Sequence, residues 1–229
     1  MKAVLLIGGT GKHAQPKALK RHKSLTVLAG KTLIEWQIEW LKRHNITSLI
    51  LLAGSSGGEV AEYLGTGRKY GINVTFVFEE EPLGTAGAIR NAYELLKSEE
   101  MFIAMNGDVI TDIDLYKMRL GRDEVAVMAT VPLKTTYGVV IVRGSKVAQF
   151  YDRPVLENYW LNAGVYLMSQ RIFSYLPETG NLEKTAFPKL AREDKLGAYP
   201  VGNALWYSIE TERDLTEAEK EMLKRGMKP

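Results

Sequence analysis

At 229 residues the chain is long enough to bury a substantial core, and α/β folds of this size are commonly one domain. The 30 Lys plus Arg against 27 Asp plus Glu leave a net charge of +3 without a long run of one sign, which does not indicate nonspecific nucleic-acid binding. Cysteine is absent, which excludes disulfides and thiolate metal sites, and no stretch approaches the ~20 apolar residues that cross a bilayer. Met1-Lys2 leads straight into a short strand with no leader pattern, so a cytoplasmic protein with no membrane partner is expected.

Ala3 to Ile7 is a run of five apolar residues that reads as a strand covered on both faces. The glycines that follow, Gly8, Gly9 and Gly11, let backbone N–H groups approach a ligand and form a concavity suited to phosphate oxygens. Neither G-x-G-x-x-G nor G-x-x-x-x-G-K-[ST] fits the spacing, so an ordinary turn and a ligand loop both remain open on the glycines alone. Thr32 to His44 has helical periodicity, with Thr32 as cap and Glu35 three residues on as the other half of a capping box. Ser48 to Ala53 is a second strand, Gly57 to Tyr70 reads as a helix, and Val74 to Phe78 is a third strand. Strand and helix alternate as in a doubly wound parallel sheet.

Glu79 to Ala88 follows the third strand and opens a helix with Ala88, Ile89, Ala92, Leu95 and Leu96 on its core face. Thr85 suits the cap, and the free N–H groups of that helix start suit a negative or carbonyl-bearing ligand, although a plain capped helix remains open. Met101 to Met105 is a fourth buried strand ending in Asn106-Gly107-Asp108. A carboxylate there lies in the crevice where open α/β sheets bind ligands, and Mg²⁺ needs only one or two carboxylates besides substrate phosphates. A turn or cap role is the other reading of Asp108, ahead of a helix suggested by Asp112 to Leu120. Of the three histidines, His22 and His44 read as solvated side chains.

Beyond a strand over Glu124 to Val131, the runs Tyr137 to Val142, Lys146 to Phe150 and Leu161 to Leu167 are short and strand-like, and suggest a lobe laid against the first half. Ala204 to Ile209 is a last strand. Thr211 to Arg225 is a helix with Glu early and Lys and Arg late, in keeping with its dipole.

Several of these segments together carry a resemblance. Gly8-Gly9-x-Gly11, Pro16, Lys23-Ser24-Leu25 and Ala29-Gly30-Lys31 resemble the N-terminus of the sugar-1-phosphate nucleotidyltransferases. Leu83 to Ala88 matches their L-G-T-A-G-A residue for residue, and Asn106-Gly107-Asp108 matches their N-G-D. Tyr137-Gly138-Val139, Phe150-x-Asp152-Arg153-Pro154, Asn162-Ala163-Gly164 and Leu182 to Pro188 continue the likeness, which runs from Lys2 to about Leu215.

The resemblance implies a Rossmann-like doubly wound mixed sheet with a sugar-binding lobe inserted in the C-terminal half. One domain is implied, with residues 1–131 as the nucleotide half and 132–229 as the sugar-phosphate half. A nucleoside triphosphate and a sugar 1-phosphate would give an NDP-sugar and pyrophosphate, with Mg²⁺ as cofactor. Carried over by residue, Lys23, Asp108 and His13 would be catalytic, and Asp108 would bind the metal. Gly8, Gly9, Gly11, Lys12, Leu83, Gly84, Thr85 and Gly107 would hold the nucleotide; Gly138, Asp152, Arg153, Asn162 and Glu183 would hold the sugar. A homo-oligomer is left open.

The chain departs from the family pattern at Lys12 (usually Thr), His13 (Arg) and His22 (Pro). Asp152-Arg153 replaces Glu-Lys, and Ser208 stands where a second metal-binding Asp is common, with Glu210 two residues along. His13 is largely neutral above a pKa of about 6.5, whereas Arg keeps its charge. These departures motivate an alternative, a catalytically weakened paralogue that binds nucleotide or nucleotide-sugar as a regulatory or partner subunit. A third reading takes Pro16-Lys17-Ala18-Leu19 as the P-K-A-L of cytidylyl and molybdopterin-guanylyl transferases; the spacing to Gly30 fits Lys23 better.

Overall fold

The structure is a computed structural model, and it describes residues 1–8, 21–54, 57–135 and 137–227. In chain order the first half contains β1 (Ala3–Leu6), a short hairpin of β2 (Val27–Leu28) and β3 (Lys31–Thr32), α1 (Leu33–Arg43), β4 (Ser48–Ala53), α2 (Gly58–Leu64) and β5 (Asn73–Phe78). Then come α3 (Gly84–Asn91), α4 (Tyr93–Leu96), β6 (Met101–Asn106), β7 (Val109–Thr111) and β8 (Ala126–Lys134). The second half adds β9 (Val139–Arg143), β10 (Lys146–Tyr151), β11 (Val155–Ser169), α5 (Ala186–Arg192), β12 (Leu196–Pro200), β13 (Trp206–Ser208) and α6 (Glu212–Lys224).

Seven strands form one sheet in the order β12-β8-β11-β6-β1-β4-β5. The β5, β4, β1 and β6 strands run parallel, with Leu6 aligned to Leu52 on one side and Asn106 on the other. β1 is followed in the chain by β4 to one side, while β6 lies on the other side, so the strand order reverses beside β1. Such a reversal opens a crevice at the strands' carboxyl ends. β1 is apolar throughout because both its faces are covered: Leu5, Leu49 and Leu51 pack with Ile34, Ile38 and Leu41 of α1, while Val4, Ile50 and Leu52 pack with Ile89 and Leu190. Each such burial contributes about 1.5–3 kcal/mol.

The α1 cap forms as its sequence predicts, with Thr32 accepting from the Glu35 N–H and the Glu35 carboxylate accepting from the Thr32 N–H at 2.8 Å. Elsewhere the structure corrects the sequence expectations. The helix expected over Gly57 to Tyr70 stops at Leu64, because Gly65 and Gly67 take φ values of +55° and +80°; a 3₁₀ turn over Arg68–Tyr70 follows. Asp112 to Leu120 is not helical. Its first N–H groups are engaged elsewhere, Asp112 N–H donating to Leu205 O and Ile113 N–H to Thr111 Oγ1, and only a 3₁₀ turn at Leu115–Lys117 forms.

The expected lobe also divides differently. β8 and β11 lie inside the main sheet, β11 running antiparallel between β6 and β8. The unbroken buried run from Ala163 to Met168 requires cover on both faces, which a peripheral lobe does not supply. Only β9 and β10 stand apart, as a separate two-stranded sheet. β13 pairs with β7 beside the end of β6, Ser208 opposite Val109.

At Gly107 the end of β6 approaches β1 so closely that an added Cβ would lie 2.8 Å from Leu6 O and 2.7 Å from Ile7 Cγ2. The backbone oxygen cannot swing aside, so Gly107→Ala is expected to cost about 1–3 kcal/mol, read as a lower urea midpoint at unchanged slope.

Candidate active site

Lys23 lies in a 3₁₀ turn, Lys23–Leu25, that leads into β2, and Asp108 lies between β6 and β7. Their side chains meet at the carboxyl ends of β1 and β6, Lys23 Nζ donating to Asp108 Oδ2 at 2.9 Å. The same ammonium lies 3.5 Å from Glu210 Oε2. Glu210 reaches this point because the β7–β13 pairing continues one step, Ile209 N–H donating to Asp108 O at 2.9 Å. Asp108 Oδ1 is buried and has no hydrogen-bond partner among the described residues. A partly desolvated carboxylate with one oxygen lacking a partner among the described residues and a lysine on the other is chemically suited to a hard cation and phosphate oxygens. Among the described residues no group of three or more His, Cys, Asp or Glu converges as a metal cage.

Two residues outside the expected site set hold this centre in place. Gln37 of α1, almost fully buried, donates through Nε2 to Asn106 O and Val109 O, at 3.1 and 2.9 Å, and so clamps both ends of the turn that carries Asp108. Its helical spacing among Trp36, Ile38 and Trp40 placed it on the core side, and a lone amide there was the available signal. Gln37 Oε1 has no partner among the described residues, and Gln37 lines a small cavity together with Trp36, Trp40 and Val109. That cavity lies between α1 and the β6–β7 segment, and neither Lys23 nor Asp108 lines it.

The other is His22, expected to be solvated and found buried. Its Nδ1 accepts from Ser24 N–H at 3.2 Å, so Nε2 carries the proton and donates to Ile7 O at 3.0 Å. Its own N–H donates to Glu59 of α2. The imidazole thus splints the end of β1 to the turn holding Lys23. Burial pulls its pKa below the ordinary 6.5, against smaller opposing effects of the Ile7 carbonyl and Glu59. His44, likewise expected in solvent, is partly buried: Nδ1 meets Trp40 O at 2.8 Å and Nε2 accepts from Leu115 N–H.

The Leu83-Gly84-Thr85 segment opens α3, but its N–H groups are largely engaged. Ala86 N–H donates to Gly180 O, Thr85 N–H to Asn181 Oδ1 and Leu83 N–H to Glu79 Oε2. Thr85 does not cap the helix, which begins at Gly84; its hydroxyl accepts from Leu182 N–H instead. Gly84 and Gly87 have no room for a Cβ against the backbone of 178–180. The motif therefore fastens α3 to the turn carrying Glu183. Gly107 N–H is similarly taken by Leu6 O. Gly8 packs against Gly54, an added Cβ lying 2.9 Å from Gly54 N.

Asn162 joins the Asp108 neighbourhood through β11, while Glu183, in the 3₁₀ turn Leu182–Lys184, lies close enough for its charge to be felt at Tyr166. Gly164 packs on Asn106, Trp206 Nε1 donates to Ala163 O, and Asn162 Nδ2 donates to the buried Tyr166 hydroxyl at 2.8 Å. Burial raises the Tyr166 pKa, and the carboxylates of Glu183 and Asp108 add to the rise. Gly138, Asp152 and Arg153 lie instead at the root of the β9–β10 hairpin. Asp152 and Arg153 are exposed and pair with each other at 3.5 Å, while Gly138 seats the Phe150 ring. Gly9, Gly11, Lys12 and His13 lie outside the described residues.

The chain matches the nucleotidyl transferase family over residues 2–225. A mannose-1-phosphate guanyltransferase of Yarrowia lipolytica is 30% identical over 225 residues, covering 93% of this chain and 62% of that protein. A D-glycero-alpha-D-manno-heptose 1-phosphate guanylyltransferase of Aneurinibacillus thermoaerophilus is 29% identical over 229 residues, covering 97% of this chain and 98% of that one. Among solved structures, HddC from Yersinia pseudotuberculosis superposes with a TM-score of 0.76 at 23% identity, over 96% of this chain and 99% of that one, a likeness of fold. The chain therefore spans about three fifths of the Yarrowia relative and nearly all of the Aneurinibacillus one.

A neutral His22 splint has a pH signature. The unfolded chain takes up a proton as pH falls through about 6.5, whereas the folded ring resists it. Its contribution is whole above pH ~6.5 and is lost on acidification through the lowered folded pKa. Between pH 7 and 5, His22→Gln, which cannot titrate, is expected to lose less melting temperature than the wild type; parallel curves would contradict the splint.

Proposed function

This chain belongs to the nucleotidyl transferase family, and on that premise we propose that it joins a nucleoside triphosphate to a sugar 1-phosphate, releasing pyrophosphate. The observation that carries the reading is the Lys23–Asp108 contact of 2.9 Å at the carboxyl ends of β1 and β6. A phosphate oxygen of the sugar 1-phosphate attacks the α-phosphorus of the triphosphate. The new P–O bond forms as the bond from that phosphorus to the oxygen bridging to the β-phosphate breaks, and pyrophosphate leaves with that oxygen's electron pair. The attacking oxygen is already anionic, so no general base is needed, and catalysis consists of in-line positioning and charge neutralisation.

In this reading Lys23 leaves its carboxylate partners to meet the triphosphate, and Asn162 and Glu183 orient sugar hydroxyls through paired donors and acceptors. Asp108 holds a divalent cation, Mg²⁺ in our proposal, with Glu210 rather than Ser208 as the nearby second carboxylate. When bound, such an ion neutralises phosphate charge and templates the in-line geometry. Gly8, Gly9, Gly11, Lys12, His13, Leu83, Gly84, Thr85 and Gly107 belong to the nucleotide side of the proposal, and Gly138, Asp152 and Arg153 to the sugar side.

The names of the relatives support guanine as base and a manno-configured sugar 1-phosphate as acceptor. They favour an active enzyme over the weakened paralogue. One domain with halves 1–131 and 132–229, a homo-oligomeric state and a cytoplasmic location complete the proposal. No helix among the described residues is long and apolar enough to cross a membrane.

Pyrophosphate release from GTP plus mannose 1-phosphate is expected only with a divalent cation, and at least about 10-fold faster than with ATP, CTP or UTP, a discrimination of ~1.4 kcal/mol. Removal of the cation with EDTA should abolish it, and Mg²⁺ should restore it. Folded protein that turns over no triphosphate with any sugar 1-phosphate would falsify the reading.

A further inference from the structure

A single ammonium serves two carboxylates just past the end of β6. Lys23 Nζ donates to Asp108 Oδ2 at 2.9 Å and lies 3.5 Å from Glu210 Oε2, while Asp108 Oδ1 is buried with no partner among the described residues. The backbone, and not the ion pair, brings the three groups together. Ile209 N–H donates to Asp108 O, which sets Glu210 beside Asp108, and His22 ties the Lys23 turn to Ile7. Without the lysine, two carboxylates would converge on one point and repel each other. A divalent cation relieves the same repulsion, but Mg²⁺ needs those oxygens at about 2.0–2.1 Å, inside the ammonium's own contact distance. Ammonium and ion therefore compete for one place. The Lys23 head is free to leave it, since the side chain is 34% exposed and ends a flexible four-carbon stem.

Resting on the reading that Asp108 holds a divalent cation, we propose that Lys23 occupies the cation's place in the free protein, and that the ion binds tightly only once phosphates draw the ammonium away. An incoming triphosphate offers Lys23 charged oxygens in exchange for its carboxylates, so the ammonium keeps its charge-assisted hydrogen bonds. Asp108 and Glu210, relieved of the lysine, then take the ion. Cation and triphosphate binding are in this way positively coupled. The coupling is reciprocal, each raising the other's affinity by the same factor. Glu210 suits both states because its side chain is half-exposed and already reaches the ammonium. Ser208, opposite Val109, carries no charge for either.

Mn²⁺ alone, with no nucleotide or sugar present, tests this through the free-ion signal in electron paramagnetic resonance. Lys23→Met is expected to bind Mn²⁺ at least about tenfold more tightly than the wild type, a gain of ~1.4 kcal/mol. Adding Asp108→Asn should abolish the gain, and adding Glu210→Gln should reduce it. Lys23→Gln should reproduce it, so one poorly folding variant does not decide the matter. Lys220→Met, which removes the same charge from an exposed site on α6, should leave Mn²⁺ affinity unchanged. Melting gives a second reading, since Mn²⁺ should raise the melting temperature of Lys23→Met more than that of the wild type. Equal affinity in wild type and Lys23→Met would overturn the inference; if both bind tightly, the cation role of Asp108 still stands. A gain that survives Asp108→Asn would overturn both, because the ion would then sit elsewhere. A matching gain in Lys220→Met would reduce the effect to net charge and overturn the inference too. No turnover enters these measurements, so pyrophosphate release judges the transferase reading separately.

Discussion

Lys23 and Asp108 are 85 positions apart in sequence, and their 2.9 Å contact exists only because the sheet reverses its strand order beside β1. An ion pair whose side chains are 34% and 22% exposed adds little to stability, on the order of 1 kcal/mol or less. Much of the surrounding structure nevertheless serves to hold it. Gly107 brings β6 against β1, Gln37 clamps the turn from the side of α1, and His22 splints Lys23 to the end of β1. Each support spends buried polar groups or tight backbone contacts, which are costly unless satisfied, on placing two modestly stabilising charges.

Much of this was legible in the residues. Consecutive apolar runs marked β1, β4 and β6 because strands buried on both faces need no alternation. The α1 box was visible because Thr32 and Glu35 sit at the spacing that satisfies two orphan N–H groups reciprocally. Asp108 stood out as a carboxylate just past a central strand. What the residues concealed lies in long-range partnership. Nothing local shows that Gly180 and Asn181 occupy the N–H groups of α3, that Leu205 diverts the 112–113 backbone from helix, or that β11 enters the main sheet beside β6. His22 misled for the same reason: a polar loop residue is usually wet, but this one finds a carbonyl and an N–H inside the fold.

The departures from the family pattern gain meaning in three dimensions. Ser208, opposite Val109, lacks a charge, yet Glu210 two residues along reaches Lys23 from the same strand extension. The negative charge expected of this strand is therefore kept near Asp108 by a different residue. With His22 in place of the usual proline, the turn before Lys23 is fixed by two side-chain hydrogen bonds in place of a locked φ angle. Asp152 and Arg153, which the resemblance assigned to sugar, pair with each other in solvent at the foot of the hairpin.

The central claim is that Lys23 and Asp108 act as one unit on the phosphates. A double-mutant cycle on kcat/KM for pyrophosphate release, using Lys23→Met, Asp108→Asn and the double variant, measures this most directly. Each single change should cost about 100-fold or more, and the double little more than the worse single, as for residues that act together. Losses that multiply, or a single variant with wild-type rate, would contradict the account.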